Sequence, residues 1–385
     1  MANTPHSYDY LLIGGGLHNA LIALAVLARR PSARVCLVER GAAVGGNHLW
    51  CFHGSDLDPA GTTLVTPLIV KRWEGYSVRF PRFERRLDSP YSAVSSEQLA
   101  RRVTELFAQH PSSSLMLGRS VARLAADSAT LSDGQVLNAR VVIDARGPEA
   151  HSRALALGYQ KFVGLELELE APCALSEPIV MDATVPQQDG FRFVYTLPLS
   201  PTRVLVEDTY FADDPELDAA LLRARALAYA QQLGLQISRI VREESGILPL
   251  PAATAPSRPG SPWLAGYAGG WFHPTTGYSF PIAARVALHV AASTPETLFD
   301  PPFDALSREH ARQQRYACLL NRLLFRAVPE QARRNVLERF YQLPEASVAR
   351  FYALSTTALD RARILCGRPP RGLSVSKAFT KGLFL

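Results

Sequence analysis

The sequence predicts a mixed α/β fold, α+β overall, on three observations. A strand, a glycine turn, a helix and a second strand follow one another from Tyr8 to Glu39, mid-chain segments alternate apolar and polar residues, and helix signals dominate after Pro301-Pro302. A chain of 385 residues suggests one large or two interleaved units with a sizeable core, and 47% hydrophobic with 20% charged residues is a globular composition.

The first strand is the apolar run Tyr8 to Ile13, the turn is Gly14-Gly15-Gly16, and the helix runs from Leu17 through Leu27. The second strand, Arg34 to Val38, ends in Glu39. In such a unit glycines let the backbone approach a pyrophosphate, and the helix N-terminus supplies free N–H groups. The acidic residue accepts hydrogen bonds from ribose hydroxyls. Asn19 stands where the fingerprint has its third glycine. For the triplet alone a plain glycine turn is the alternative; Glu39 moves the reading to a dinucleotide site through Gly14, Gly16, Asn19 and Glu39.

Further on, Gly45-Gly46 let the chain pass close to a ligand, and Ser95 or Ser96 opens a helix over Glu97 to Ala108. A hairpin turning at Asp133-Gly134 leads to a buried strand, Val141 to Asp144, that ends in the polar turn Ala145-Arg146-Gly147. Glycine motif, long intervening segment, helix, hairpin and return strand form the layout of large FAD-binding domains, with Asp144 and Gly147 as further cofactor contacts.

Five cysteines without CxxC spacing argue against a zinc site or a disulfide framework and favour the reducing cytoplasm. The N-terminus has no export signal, and no apolar run approaches the ~18 residues that span a bilayer, so the protein is expected to be soluble or peripheral. The net charge of +6 is uneven: from Pro301 onward there are 15 Lys+Arg against 6 Asp+Glu, leaving residues 1–300 slightly acidic. Arg312, Arg315, Arg322 and Arg326 interleave with Tyr316, Leu319, Leu320, Leu323, Leu324 and Phe325. This pattern reads either as a solvated helical face or as a surface that rests on anionic lipid. No nucleic-acid motif accompanies the charge.

From Gly45-Gly46-Asn47-His48-Leu49-Trp50-Cys51-Phe52-His53 onward the sequence resembles the bacterial lycopene β-cyclases of carotenoid synthesis. The likeness continues through Met181-Asp182-Ala183-Thr184-Val185, Tyr195 to Ser200, Glu207-Asp208-Thr209, Phe272 to Ser279, Leu320 to Phe325, Arg339 to Glu345 and Asp360 to Leu365. That family also resembles having Asn at the position of Asn19. The resemblance implies a Rossmann-like FAD-binding domain of the flavoprotein-hydroxylase type (1–58, 91–158 and 244–297). It further implies an inserted β-rich substrate domain (59–90 and 159–243) and a helical C-terminal region (298–385). It implies an isomerase that closes the ends of lycopene, or related acyclic carotenoids, into β-ionone rings without net redox change. Reduced FAD would be the cofactor, with NAD(P)H as electron donor and no metal. The expected location is cytoplasmic, peripheral at the inner face of the membrane. A flavin monooxygenase, a prenyl-lipid reductase and a non-catalytic flavin or lipid carrier are the competing readings.

Ring closure needs a proton added to a terminal alkene, attack by a neighbouring double bond, and loss of a different proton, all in a dry site. In Arg203 to Phe211, which alternates as a strand, Glu207 shares a face with Leu205, Thr209 and Phe211, whereas Asp208 shares the other with Val204, Val206 and Tyr210. The resemblance selects Glu207 as the inward acid, with Asp208 as its partner or as a hydrogen-bond anchor. Glu166, on the glutamate face of Val163 to Glu170, is either a third acid of the site or part of a solvated face. Asp182 sits among apolar neighbours, where an unpaired carboxylate is costly. The loop Gly269 to Phe280 enters a helix from about Ile282, so Thr276 and Gly277 become flavin contacts, although the Gly-Asp that many related flavoproteins place before it is Gly266-Tyr267 here. Trp50, Phe52, Phe193, Tyr195 and Trp271 offer ring faces to a cation or a polyene, or are ordinary core. His273 is either a ligand contact or a histidine fixed within its loop.

Overall fold

In the computed structural model, residues 8–147, 156–253 and 259–366 are described. The Tyr8–Ile13 strand pairs in parallel with Val35–Val38 on one side and with the Val136–Asp144 strand on the other. Short strands at Ser114–Met116 and Trp263–Leu264 extend this parallel sheet, and the antiparallel strands Ser128–Leu131 and Val121–Leu124 complete seven. The helices Leu17–Arg29 and Phe280–Ala292 pack together beside the sheet and bury an aliphatic core built from Leu21, Ile22, Val26, Ile282, Val286 and Val290. The Ser96–Ala108 helix begins where the Ser95 side chain accepts from the Gln98 N–H, satisfying one of the donors a helix start leaves open.

A second seven-stranded sheet is almost wholly antiparallel. Its order is Ile237–Pro251, Ala156–Leu169, Arg203–Ala212, Phe191–Ser200, Ile179–Asp182, Tyr76–Phe80 and Phe83–Leu87. The period-two alternation of these strands makes two different faces. One face presents Val163, Leu165, Leu167, Val194, Val204, Val206 and Tyr210 to the covering helix Ala219–Gln232. The other presents Phe191, Phe193, Leu197, Leu205 and Phe211, over which the C-terminal helices lay Leu324, Tyr341 and Val348.

A three-stranded sheet, Leu49–His53, Tyr91–Ser95 and Ile69–Trp73, lies where the two layers meet. Along its first strand Phe52 turns to the core of the parallel layer, with Trp50 packed against it, while Cys51 turns to the aromatic face of the large sheet. From Pro301, at the first turn of the Pro301–Arg322 helix, the described chain is mainly helical up to Leu365. That helix widens into a π turn at Leu323–Ala327 and is followed by Glu330–Phe340, Glu345–Tyr352 and Ala358–Leu365.

Candidate functional site

The first cavity, of about 520 Å³, opens at the C-terminal ends of the parallel strands, the place where such sheets hold ligands. Gly14, Gly16, Glu39, Gly45, Gly46, Trp50 and Gly147 all line it. Gly14 adopts a φ of 89°, and a Cβ there would sit 3.0 Å from the Ala145 carbonyl, so the tight turn excludes a side chain. A Cβ at Gly16 would meet nothing within 4 Å, leaving the N-terminus of the Leu17–Arg29 helix open to the cavity. Glu39 forms one wall, and its carboxylate accepts from the N–H of Gly15 and of Gly41, both at 2.6 Å. His18, also on the wall, is buried, and burial pushes its pKa down to about 4, so the ring is neutral. Open helix N-terminus, acidic wall and neutral imidazole are a donor and acceptor set that fits a dinucleotide.

Four expected contacts of this cavity have other tasks. The Asn19 amide donates to the carbonyls of Ile13 and Gly14, both at 2.9 Å, and so ties the strand end to the helix instead of facing the cavity. Asp144 is buried and accepts from Arg146 Nε at 2.9 Å and Nη2 at 2.8 Å, fixing the turn that Ala145, Arg146 and Gly147 present to the cavity. Thr276 lines a different cavity. Gly277 lies behind the wall: the Tyr267 hydroxyl donates to its carbonyl, and a Cβ there would stand 2.7 Å from Leu248.

The aromatic face of the large sheet holds the second part of the site. Glu207 lies there opposite Tyr195, whose hydroxyl bonds that of Tyr91 at 2.6 Å. Thr209 Oγ1 donates to Glu207 Oε1 at 2.7 Å. Cys51 stands nearby, its thiol pushed up to about 12 by burial and by the neighbouring Glu244 and Glu207 charges. Although a little of its surface is reachable by water, Glu207 is deep among protein atoms. Burial first, and then the Glu244 carboxylate, push its pKa from 4.5 up to about 8. At neutral pH it is a protonated acid in a chamber of aromatic side chains that continues along the sheet from Tyr195 through Phe193 to Phe211, the last two rings meeting edge to face at 6.0 Å.

Glu244 is a residue that sequence reasoning missed. It is buried on the Ile237–Pro251 strand and accepts from the Leu49 N–H at 3.1 Å and from Arg242 Nη1 at 3.0 Å. Since Leu49 lies between His48 and Trp50, both on the wall of the first cavity, Glu244 and Glu207 stand at the seam between that cavity and the aromatic chamber. Burial raises the Glu244 carboxyl while Arg242 pulls it back down. The signal for it was an acid in Arg242-Glu243-Glu244-Ser245-Gly246, legible only with the strand order in hand.

Several other expected residues are placed differently. Asp208 is on the opposite face, where its carboxylate accepts from Arg192 Nε at 2.7 Å and from Tyr210 at 3.0 Å under the covering helix. Asp182 is on that side too, accepting from Tyr229 of the helix at 2.7 Å and from Thr184. Glu166 shares the Glu207 face but is clamped between Arg203 Nη1 at 3.1 Å and Arg242 Nε at 2.9 Å, so both its oxygens are taken up by arginines. Phe52 stacks on Phe280 at 4.6 Å inside the parallel layer. Trp271 is core, edge-on to Trp263 and stacked on His310. His273 is fixed in its loop: its Nε2 pairs with the Phe351 carbonyl at 2.9 Å and its Nδ1 accepts from Thr275 N.

A third feature is an apolar cavity of about 180 Å³ at the Phe211 end of the chamber, lined by Met181, Leu320, Leu324, Val336, Phe340 and Tyr352 among others. It reaches the surface at Arg363 and Leu365, with Arg339 on its wall. Of the basic residues singled out in the sequence, Arg312 is exposed and paired with Glu309 at 2.8 Å, Arg315 and Arg326 are exposed, and Arg322 is half-buried and donates to the Ala252 carbonyl. Among the described residues, no helix is long and apolar enough to cross a membrane.

A family model described as lycopene cyclase protein matches residues 9–378. A lycopene beta-cyclase of Pantoea ananas is 43% identical over 374 residues, covering 95% of this chain and 96% of that protein. Among solved structures, a geranylgeranyl bacteriochlorophyll reductase-like protein of Thermoplasma acidophilum superposes with a TM-score of 0.65 over 97% of this chain and 98% of its own, at 12% identity. A probable FAD-dependent monooxygenase of Pseudomonas aeruginosa does so with a TM-score of 0.56 over 90% of this chain and 98% of its own, at 18% identity. These two likenesses establish a mixed α/β flavoprotein fold and nothing further.

Proposed function

This chain belongs to the lycopene cyclase family and is a lycopene β-cyclase, and from that premise we propose that Glu207 is the acid that starts ring closure. The observation that carries the proposal is a buried carboxyl, raised to about 8, on the aromatic face of the large sheet and beside the dinucleotide cavity. A carboxylic acid kept neutral at pH 7 can deliver a proton to an alkene, which is too weak a base for an ordinary surface acid to protonate. Glu207 donates to the terminal alkene, a neighbouring double bond closes the ring, and a ring proton leaves to a carboxylate, so lycopene becomes γ-carotene and then β-carotene at unchanged mass. The faces of Tyr195, Phe193 and Phe211 border the cation and keep water away from it.

The residues of the 520 Å³ cavity would hold FAD, in a Rossmann-like unit of the flavoprotein-hydroxylase type. Gly14, Gly16, Gly45, Gly46 and Gly147 would allow its close approach, and Glu39 would accept hydrogen bonds from its ribose hydroxyls. In its reduced form, with NAD(P)H as electron source, the cofactor would supply electron density that stabilises a cation. The apolar cavity is the entry for the polyene. Because ~300–1,000 Å³ is usual for a small-molecule site, its 180 Å³ requires Leu324 and Phe340 to repack as the substrate enters. Its mouth, with Arg339, Arg363 and the exposed Leu365, suits a peripheral protein resting on an anionic membrane surface from the cytoplasmic side.

The test is anaerobic incubation of the FAD-loaded protein with a chemical reductant and lycopene in liposomes, in D₂O. One deuterium per ring, in a product otherwise of unchanged mass, is expected. Product with added oxygen or two added hydrogens contradicts the reading.

A further inference from the structure

We propose that Glu207 and Glu244 form one proton-sharing pair across Gly164, in which Glu244 is the ionised positioning residue that keeps the proton on Glu207 until the alkene takes it. The inference rests on the reading of Glu207 as the initiating acid. The Ala156–Leu169 strand runs between Arg203–Ala212 and Ile237–Pro251, and Gly164 is the register partner of Glu207 on one side and of Glu244 on the other. The two glutamates therefore lie in one row across three strands, on the same face, with the residue between them lacking a side chain. A Cβ at position 164 would stand 3.3 Å from Glu207 Oε2, 3.1 Å from Glu244 Cγ and 3.3 Å from Glu244 Oε1. Both carboxyl groups thus border the same small volume, which only glycine leaves open.

The pair is asymmetric. Glu244 holds the positive Arg242 and the Leu49 N–H, and Arg242 is itself held by Glu166. Among the described residues, Glu207 accepts a hydrogen bond only from the Thr209 hydroxyl. Among the described residues, the other groups around the pair include Arg242, whose charge also lowers Glu207, and Glu166, whose charge raises Glu244, together with Cys51 and Tyr195, which are neutral, the His48 ring, which burial and Arg242 keep neutral, and Asp208, which is turned to the far side of the sheet and paired with Arg192. Two carboxylates this close cannot both ionise freely, so the proton stays with the one that lacks a cation. Through a turnover the pair balances. The Glu207 O–H bond breaks as a C–H bond forms at the alkene, ring closure uses the π electrons of the next double bond, and a ring C–H pair becomes the new double bond. The released proton returns to the pair and exchanges with solvent before the next ring, so the pair ends each ring with the one proton it began with.

The decisive experiment is the pH dependence of kcat/KM for ring closure by the reduced, FAD-loaded enzyme, comparing wild type with Glu244→Gln. Activity requires protonated Glu207, so the wild-type profile falls as pH rises through about 8. Removing the Glu244 charge lets Glu207 ionise sooner and moves this fall about one pH unit or more toward acid. A fall at the same pH in both proteins overturns the pair. Gly164→Ala, which pushes a methyl group between the carboxyls and removes neither, is expected to shift the profile in the same direction. It also decides the matter if Glu244→Gln does not fold. In infrared spectra of the FAD-loaded enzyme the carboxylic-acid C=O band should disappear over the same pH range as activity, and earlier in Gly164→Ala. A band that titrates identically in both contradicts the sharing. Full activity in Glu207→Gln sinks the reading of Glu207 itself, whereas an inactive Glu207→Gln with an unmoved Glu244→Gln profile sinks the pair alone.

Discussion

Replacing Glu207 by Gln should stabilise the protein at alkaline pH relative to wild type. Its carboxyl is raised from 4.5 to about 8 by burial and by Glu244. Between those values the folded chain keeps a proton that the unfolded chain releases, so each pH unit costs the folded state about 1.4 kcal/mol relative to the unfolded one. Stability from this group is thus fully present below pH 4.5 and is lost as pH rises toward 8. The upper bound for the whole window is about 4–5 kcal/mol. The small part of Glu207 that water reaches brings the expectation down to roughly 2–4 kcal/mol. Glutamine is nearly the same size and cannot titrate, so the variant lacks this slope. Urea unfolding followed by far-ultraviolet circular dichroism at pH 5, 6.5 and 8, expressed as variant minus wild type, cancels the titrations the two proteins share. The reasoning requires the difference to move in favour of the variant with every step in pH. A pH-independent difference, or one that moves the other way, refutes a protonated Glu207.

Asp208→Asn should behave in the opposite way. It leaves the buried Arg192 guanidinium without its carboxylate, which costs about 3–5 kcal/mol, so the urea midpoint drops at neutral pH; an unchanged midpoint contradicts a structural Asp208. Glu39→Ala removes the acceptor for two backbone N–H groups of the glycine turn, and FAD affinity measured by fluorescence titration should fall about tenfold or more. Unchanged affinity would remove Glu39 from the site. Neutralising Arg326, Arg339 and Arg363 together should weaken sedimentation with anionic liposomes by roughly 1 kcal/mol per charge while FAD content stays constant. Equal binding by both proteins would leave the rim as an ordinary solvated surface.

What could be read from the sequence follows from periodicity. Two-residue alternation separates Glu207 from Asp208, and the structure turns them to opposite faces for that reason alone. The glycine turn, Glu39 and the Ser95 cap are local patterns and fall where local rules put them. Glu244 was invisible because its meaning depends on three strands from distant parts of the chain aligning in one row, with Gly164 in the middle. Asp182 reads as a buried acid and is one. However, the short Ile179–Asp182 strand pairs irregularly, and alternation within four residues does not reveal which face an acid takes. Trp271 and His273 lie in a loop without periodicity, so only packing against Trp263, His310 and Phe351 decides their roles. For the arginines, helix periodicity shows which are exposed but not that Arg322 finds a backbone carbonyl 70 positions earlier.

The most direct test of Glu207 as the initiating acid is single-turnover ring closure by Glu207→Gln with reduced FAD bound, compared with wild type at pH 7. With FAD content and fold unchanged, the rate should fall about 10²–10⁴-fold, the usual contribution of a positioned general acid. A variant that retains full FAD and closes rings at the wild-type rate would contradict the account.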